Sequence, residues 1–201
     1  MTALFEVTGH PEPAPPPRET ERTMLDRLNA RYGGTYRNGS YEGVRHVRAE
    51  HVPTSAGFSY GHTRIADYIA IDMFVPKSPT DREKAERRML DRNGSIHGHE
   101  VKVSRSDWLA ELRDPTKAEA WARHCHHWWL VAPREVVRDD LPAGWGLLVP
   151  WRGSLRVAVQ ATRRDPEPMP VTMLAALTRA VAKTEVRLAS TPTTPNQEQP
   201  S

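Results

Sequence analysis

Met24, Leu25, Leu28 and Tyr32 recur at three- and four-residue intervals behind Thr20, and Gly33-Gly34 follows, which predicts an amphipathic helix over 20–32. Charged and apolar residues then alternate over 41–52, with Val44, Val47 and Val52 on the apolar side, as in a strand leading into a turn region at 54–61. The run 65–75 is almost continuously apolar, broken only by Asp67 and Asp72, which predicts a central strand covered on both faces. A charged helix is expected over 80–92, stopped by Asn93-Gly94, and a second central strand over 96–104. Ser106 is positioned to cap a helix through Arg113, and Pro115 to start another that runs to about His126. Short apolar strands follow at 128–132, 146–149 and 155–161, and a strongly helical segment closes the pattern at 171–189. Helix, strands, a helix pair, strands and a final helix predict an α/β sheet domain, with no internal repeat.

Composition sharpens the boundaries. The 201 residues are 38% hydrophobic and 26% charged, enough for one modest domain. Prolines crowd both ends, so 1–17 and 190–201 are expected to be disordered tails around a folded domain at 18–189. Cys125 is the sole cysteine, which excludes an intramolecular disulfide and a four-cysteine zinc module and favours a reducing, cytoplasmic setting. Residues 1–17 lack the basic start and apolar run of a signal peptide, and no stretch approaches the ~20 apolar residues of a membrane span, so no membrane partner is expected. The net charge of +3 is too small to imply a global field. Contact with nucleic acid would have to come from local patches.

The most informative stretch is Gly98-His99-Glu100-Val101-Lys102-Val103-Ser104. On a strand, Glu100 and Lys102 share one face and the valines the other, so a carboxylate and an ammonium stand side by side near an apolar core. Such charges are costly there unless they pair or bind something. Asp67 begins the preceding buried strand, and if the two strands are neighbours, Asp67 and Glu100 converge on one divalent cation. Oxygen donors of this kind suit Mg²⁺ or Mn²⁺, and Lys102 nearby would orient a water or offset charge on a phosphodiester. An ordinary Glu100–Lys102 salt bridge accounts for the same spacing. Asp72 competes for the ligand role, but it stands an odd number of positions from Asp67 and so faces the other way on a regular strand.

Arg64-Ile65-Ala66-Asp67, the Glu100-Val101-Lys102 strand, Ser106-Asp107-Trp108, Lys117 before Trp121, the strand from Cys125 to Pro133 and the Asp165-Pro166 turn occur in the order found in a known family. Over about 20–183 the chain resembles the PD-(D/E)XK nuclease superfamily, and within it the MmcB-like DNA repair proteins. The resemblance implies a restriction-endonuclease-like core, a central mixed β-sheet flanked by helices, and Mg²⁺- or Mn²⁺-dependent cleavage of DNA in repair, recombination or phage DNA processing. It makes Asp67 and Glu100 metal ligands, the Val101 carbonyl a further ligand and Lys102 the catalytic lysine. Glu21 stands where some members place another acidic ligand, although a carboxylate in a first helical turn is also favoured by the helix dipole. Members that cut both strands often form homodimers. Two features depart from the pattern: Ala66 replaces the usual proline, and the insertion at 76–95 is longer than a tight hairpin needs. The competing readings are a DNA-binding or structure-sensing module with a degenerate site, and an RNA nuclease.

Arg64, Arg105, Lys117 and Arg123 flank the motifs and are the phosphate-contact candidates. The basic residues of 80–92 are interleaved with acids and are explained by helical pairing. His97, His99, His124, Cys125, His126 and His127 invite a zinc reading, but the paired ligand spacing of zinc modules is absent. All six tryptophans follow Arg105. Trp128 is expected in the core, and Trp108 or Trp121 is a candidate for base stacking.

Overall fold

The computed structural model describes residues 18–33, 45–55, 63–73, 94–114 and 116–190. The expected tail at 1–17, nearly all of the expected tail at 190–201, the helix at 80–92 and most of the insertion at 76–95 lie outside the described residues.

Helix α1 (Glu21–Tyr32) starts where the Thr20 hydroxyl accepts the Thr23 N–H while the Thr23 hydroxyl accepts the Thr20 N–H, satisfying two otherwise orphaned donors. Its Met24, Leu25, Leu28 and Tyr32 are buried, as their spacing requires. The strands are β1 (His46–Pro53), β2 (Ile65–Asp72), β3 (Ile96–Val101), β4 (His127–Val131), β5 (Gly146–Trp151) and β6 (Ser154–Val159). They form one six-stranded sheet in the order β1-β2-β3-β4-β5-β6. Pairing is antiparallel from β1 to β3, parallel from β3 through β5, and antiparallel between β5 and β6. The parallel steps need crossovers, supplied by α2 (Arg105–Leu112) with α3 (Thr116–Ala122) and by the short α4 (Arg134–Val137). Helix α5 (Val171–Ser190) is the last element of the described residues. The protein is therefore an α/β fold with a central mixed sheet flanked by helices.

Each sheet face carries its own core. On one side α1 packs Met24, Leu25 and Leu28 against Tyr68, Val101, Trp129 and Leu148. On the other, Trp108, Trp121, Trp128, Met173 and Leu177 pack over Ile69, Leu130 and Leu147. Burial on both faces is the reason β2 reads as a nearly continuous apolar run, interrupted by Asp67 and Asp72. Gly98 permits a close contact: a Cβ there would run into the Trp128 ring and lie 2.9 Å from Cys125 Sγ. Gly98→Ala is expected to lower stability by about 1–3 kcal/mol through overpacking, seen as a lower urea midpoint at unchanged slope.

Several boundaries differ from the sequence expectation. β3 ends at Val101 instead of Ser104: the Lys102 N–H still donates to Val131 O of β4, and the chain then bends at Ser104 into α2. Ser104, in extended backbone, caps α2 by accepting the Asp107 N–H, so Ser106 lies inside the helix and is not its cap. β2 stops at Asp72, whose carboxylate is held by Arg45 at 2.9 and 2.5 Å. Ser190 belongs to α5 and not to a tail. Among the described residues no helix is long and apolar enough to cross a membrane.

Candidate metal and catalytic site

Strands β2 and β3 pair antiparallel, with Tyr68 opposite His99. One residue further along, Asp67 reaches across and its Oδ2 accepts the Val101 N–H at 2.7 Å, so a side chain continues the ladder where the strand pairing ends. Asp67 Oδ1 receives no hydrogen bond from any described residue. Glu100 is buried, at 7% exposure, and its Oε1 accepts a hydrogen bond from Lys102 Nζ. The same Nζ lies 3.4 Å from Oε2 of Glu111 on α2, itself buried. Strand alternation thus does place Glu100 and Lys102 together, and α2 adds a carboxylate that sequence reasoning did not foresee.

Three carboxylates therefore crowd around one ammonium. Burial, then repulsion from Asp67 and Glu111, holds the Glu100 carboxyl up to about 8 despite Lys102. Burial also raises Asp67, with Glu21 adding to the effect, while the Val101 N–H, Lys102 and His51 oppose it. Burial alone would lower Lys102, but Glu100, Asp67 and Glu111 together hold the ammonium well above its ordinary range. Three acids around one lysine, with ionisation of Glu100 and Asp67 disfavoured by burial, form an environment that a further cation would relieve.

On its other side Asp67 meets two residues from separate elements. Glu21 comes from the first turn of α1 and His51 from β1, and with Asp67 their ligand atoms all lie within 4.8 Å of one another. His51 Nδ1 is 3.8 Å from Glu21 Oε1. The β1–β2 register pairs Glu50 with Tyr68 and Val52 with Ala66, which brackets His51 opposite Asp67. His51 sits at φ 50°, in the left-handed region that a non-glycine residue enters at a cost. Two carboxylates and an imidazole form a donor set that suits Mn²⁺ at least as well as Mg²⁺. Glu21 thus lies near Asp67, and His51, which the sequence did not single out, lies with them. Glu100 is not one of these three: its Oε1 is bonded to Lys102, and it flanks Asp67 on the β3 side.

The phosphate-contact candidates have separate surroundings. Arg64 Nη2 is 3.6 Å from Asp114, and Arg123 Nη1 is 3.9 Å from Glu167. Lys117 stands on the first turn of α3, partly exposed, with its N–H donating to Asp114 O. Arg105 is committed to the fold: Nη2 bonds Asp140 at 2.5 Å and Nη1 donates to Val136 O at 2.9 Å, tying α2 to α4. Trp108 and Trp121 are buried, at 0% and 1% exposure, and are not available to stack on a base, contrary to that expectation. The exposed tryptophan is Trp151, with the Arg156 guanidinium 4.4 Å over its ring. Asp72 is held by Arg45 in a structural ion pair. Among the described residues, no three of the His124–His127 and His97–His99 side chains approach one point as ligands. Burial lowers His97 to about 3 and His127 to about 4, which keeps these stacked rings neutral.

No family model matches the chain, and no curated protein matches it. A solved protein of unknown function from Silicibacter pomeroyi is similar at 18% identity over 72% of this chain and 77% of that chain, with a TM-score of 0.45.

Proposed function

We propose that this protein is a Mg²⁺- or Mn²⁺-dependent DNA nuclease of the PD-(D/E)XK kind, with the MmcB-like repair proteins as the group it resembles most. The observation that carries the reading is the junction of β2 and β3: Asp67 bonded to the Val101 N–H, with Glu100 and Lys102 on either side of that valine. When bound, the divalent cation supplies acidification of a water and stabilisation of charge on the phosphodiester. Asp67 would hold it together with Glu21 and His51, and the Glu100 carboxylate and Val101 carbonyl stand next in line as donors.

The chain's own residues have distinct tasks in this reading. The Val101 N–H fixes the rotamer of Asp67 and leaves Oδ1 open to a ligand. Glu100 and Glu111 keep Lys102 charged and aimed into the site, where its ammonium offsets charge on the phosphate oxygens and orients the attacking water. Water attacks phosphorus, the bond to the leaving oxygen breaks, and that oxygen takes up a proton.

Calorimetric titration with Mn²⁺ checks the donor set. Wild type is expected to release heat with one-site behaviour, and Asp67→Ala to bind about tenfold or more weakly. A wild type that gives no heat contradicts the reading, as does an Asp67→Ala variant with unchanged affinity.

A further inference from the structure

A groove of about 390 Å³ runs between β1 and α5, lined by His51, Pro53 and Ser55 on one wall and by Arg179, Lys183 and Arg187 on the other. The three cations stand four residues apart and so rise along one face of the helix. They are not equivalent. Arg187 is used by the fold, donating to Glu50 at 3.1 and 2.6 Å, and Glu50, the acid lining the groove, is paired with Arg187 and Arg22 and accepts a further hydrogen bond from Asn29. Arg179 and Lys183 are exposed and form no ion pair with any described residue. Holding two such cations over a concave surface, one turn apart, is unfavourable in the empty groove and favourable once an anion lies between them and the opposite wall.

His51 lines the groove and also stands within ligand distance of Asp67 and Glu21. The basic groove is therefore continuous with the candidate metal centre through one side chain. We infer that this groove binds the sugar-phosphate backbone of a DNA strand, with Arg179 and Lys183 each contacting a phosphate, and leads that strand past His51 to Asp67. The inference rests on the nuclease reading for the identity of the strand, and it assigns to α5 a binding role that the sequence motifs did not suggest. The polyanion matches the groove in charge and in continuity with the site. An acidic peptide would match the charge alone.

The test is fluorescence anisotropy with a labelled single-stranded 20-mer in EDTA, where binding is read without cleavage, repeated across a salt series. Each phosphate contact on a single strand contributes a slope of about 0.7 in log affinity against log salt, so Arg179→Ala/Lys183→Ala should flatten the slope by about 1.4 and weaken binding roughly tenfold at low salt. A control with the same charge change elsewhere, Arg134→Ala/Arg138→Ala, should keep the wild-type slope. Both variants alter exposed side chains, and thermal melting verifies that they fold. RNA of the same sequence and a poly-glutamate competitor distinguish DNA from other polyanions. A double variant that binds like wild type overturns the inference, as does displacement of the DNA by poly-glutamate at equal charge. If the groove variant loses binding while wild type never cuts DNA in Mn²⁺, the groove stands and the nuclease reading fails. If cutting occurs and the groove variant binds normally, the reverse holds.

Discussion

Lys102→Ala and Glu100→Gln are each expected to lower metal-dependent DNA cleavage by about a hundred- to a thousandfold, the loss that follows removal of one preorganised charge-stabilising group. Among the described residues Lys102 is the one cation that pairs with Glu100 and Glu111, and its Nζ is oriented by these two carboxylates from different elements. Alanine removes that charge from the point where negative charge accumulates as the phosphodiester opens. Glu100→Gln keeps the shape of the side chain and leaves Lys102 its second partner, Glu111. The loss is separable from unfolding by sign. The Glu100 carboxyl is held up to about 8, so its effect on stability is favourable while it is protonated and is lost as the pH rises from the ordinary carboxylate range through about 8. Glu100→Gln therefore should be at least as stable as wild type at pH above that value, although inactive. A variant that is inactive because it has unfolded would show a lowered melting temperature instead.

Glu50→Ala is expected to cost about 2–4 kcal/mol of stability. The carboxylate is buried on β1 and accepts two hydrogen bonds from Arg22 of α1, at 2.9 and 2.7 Å, and two from Arg187 of α5, at 3.1 and 2.6 Å. Asn29 Nδ2 donates to it as well, and the Glu50 N–H meets the Thr184 hydroxyl at 2.9 Å. One side chain thus ties α1, β1 and α5 together. Its removal leaves two guanidinium groups and an amide facing an apolar methyl. The guanidinium groups are 42% and 33% exposed and can turn toward water, which keeps the cost below that of breaking a fully buried network. Burial pushes the Glu50 carboxyl up, but the bonds from Arg22, Asn29 and Arg187 outweigh it and hold the group at about 2. Because the folded value lies below the ordinary one of 4.5, this stabilisation is present above that pH and is lost as the pH falls toward about 2. Urea midpoints at pH 7 and pH 3 check both statements. Wild type and Glu50→Ala should differ widely at the first and by clearly less at the second.

The sequence made some of this legible and hid the rest for physical reasons. Periodicity located α1, β2, β3, β4 and α5, because each buries a face or a run that no other spacing explains. The pairing of Glu100 with Lys102 followed from the two-residue repeat of a strand. The choice between Ser104 and Ser106 as helix cap could not be read locally, since each is a hydroxyl ahead of an acidic residue. It is settled by the bend at Ser104, whose hydroxyl accepts the Asp107 N–H. His51 was invisible because a lone histidine at the end of an alternating strand carries no signal. Its role depends on the register that sets it opposite Asp67, a contact across the sheet and not along the chain. Glu21 looked like a carboxylate at a helix N-terminus and is that as well, but the packing of α1 over the sheet brings it to Asp67. Trp108 is the buried tryptophan of α2, with its Nε1 donating to Asp140 at 2.7 Å, so its size serves the core and not a base.

The most direct measurement is cleavage of end-labelled single-stranded, duplex and branched DNA in Mn²⁺, Mg²⁺ or EDTA, with wild type beside Glu100→Gln and Lys102→Ala. The account predicts cutting in a divalent cation, none in EDTA, and loss of cutting in both folded variants. Wild-type protein that binds these DNAs and cuts none of them in either metal, or variants that cut as wild type does, would contradict it.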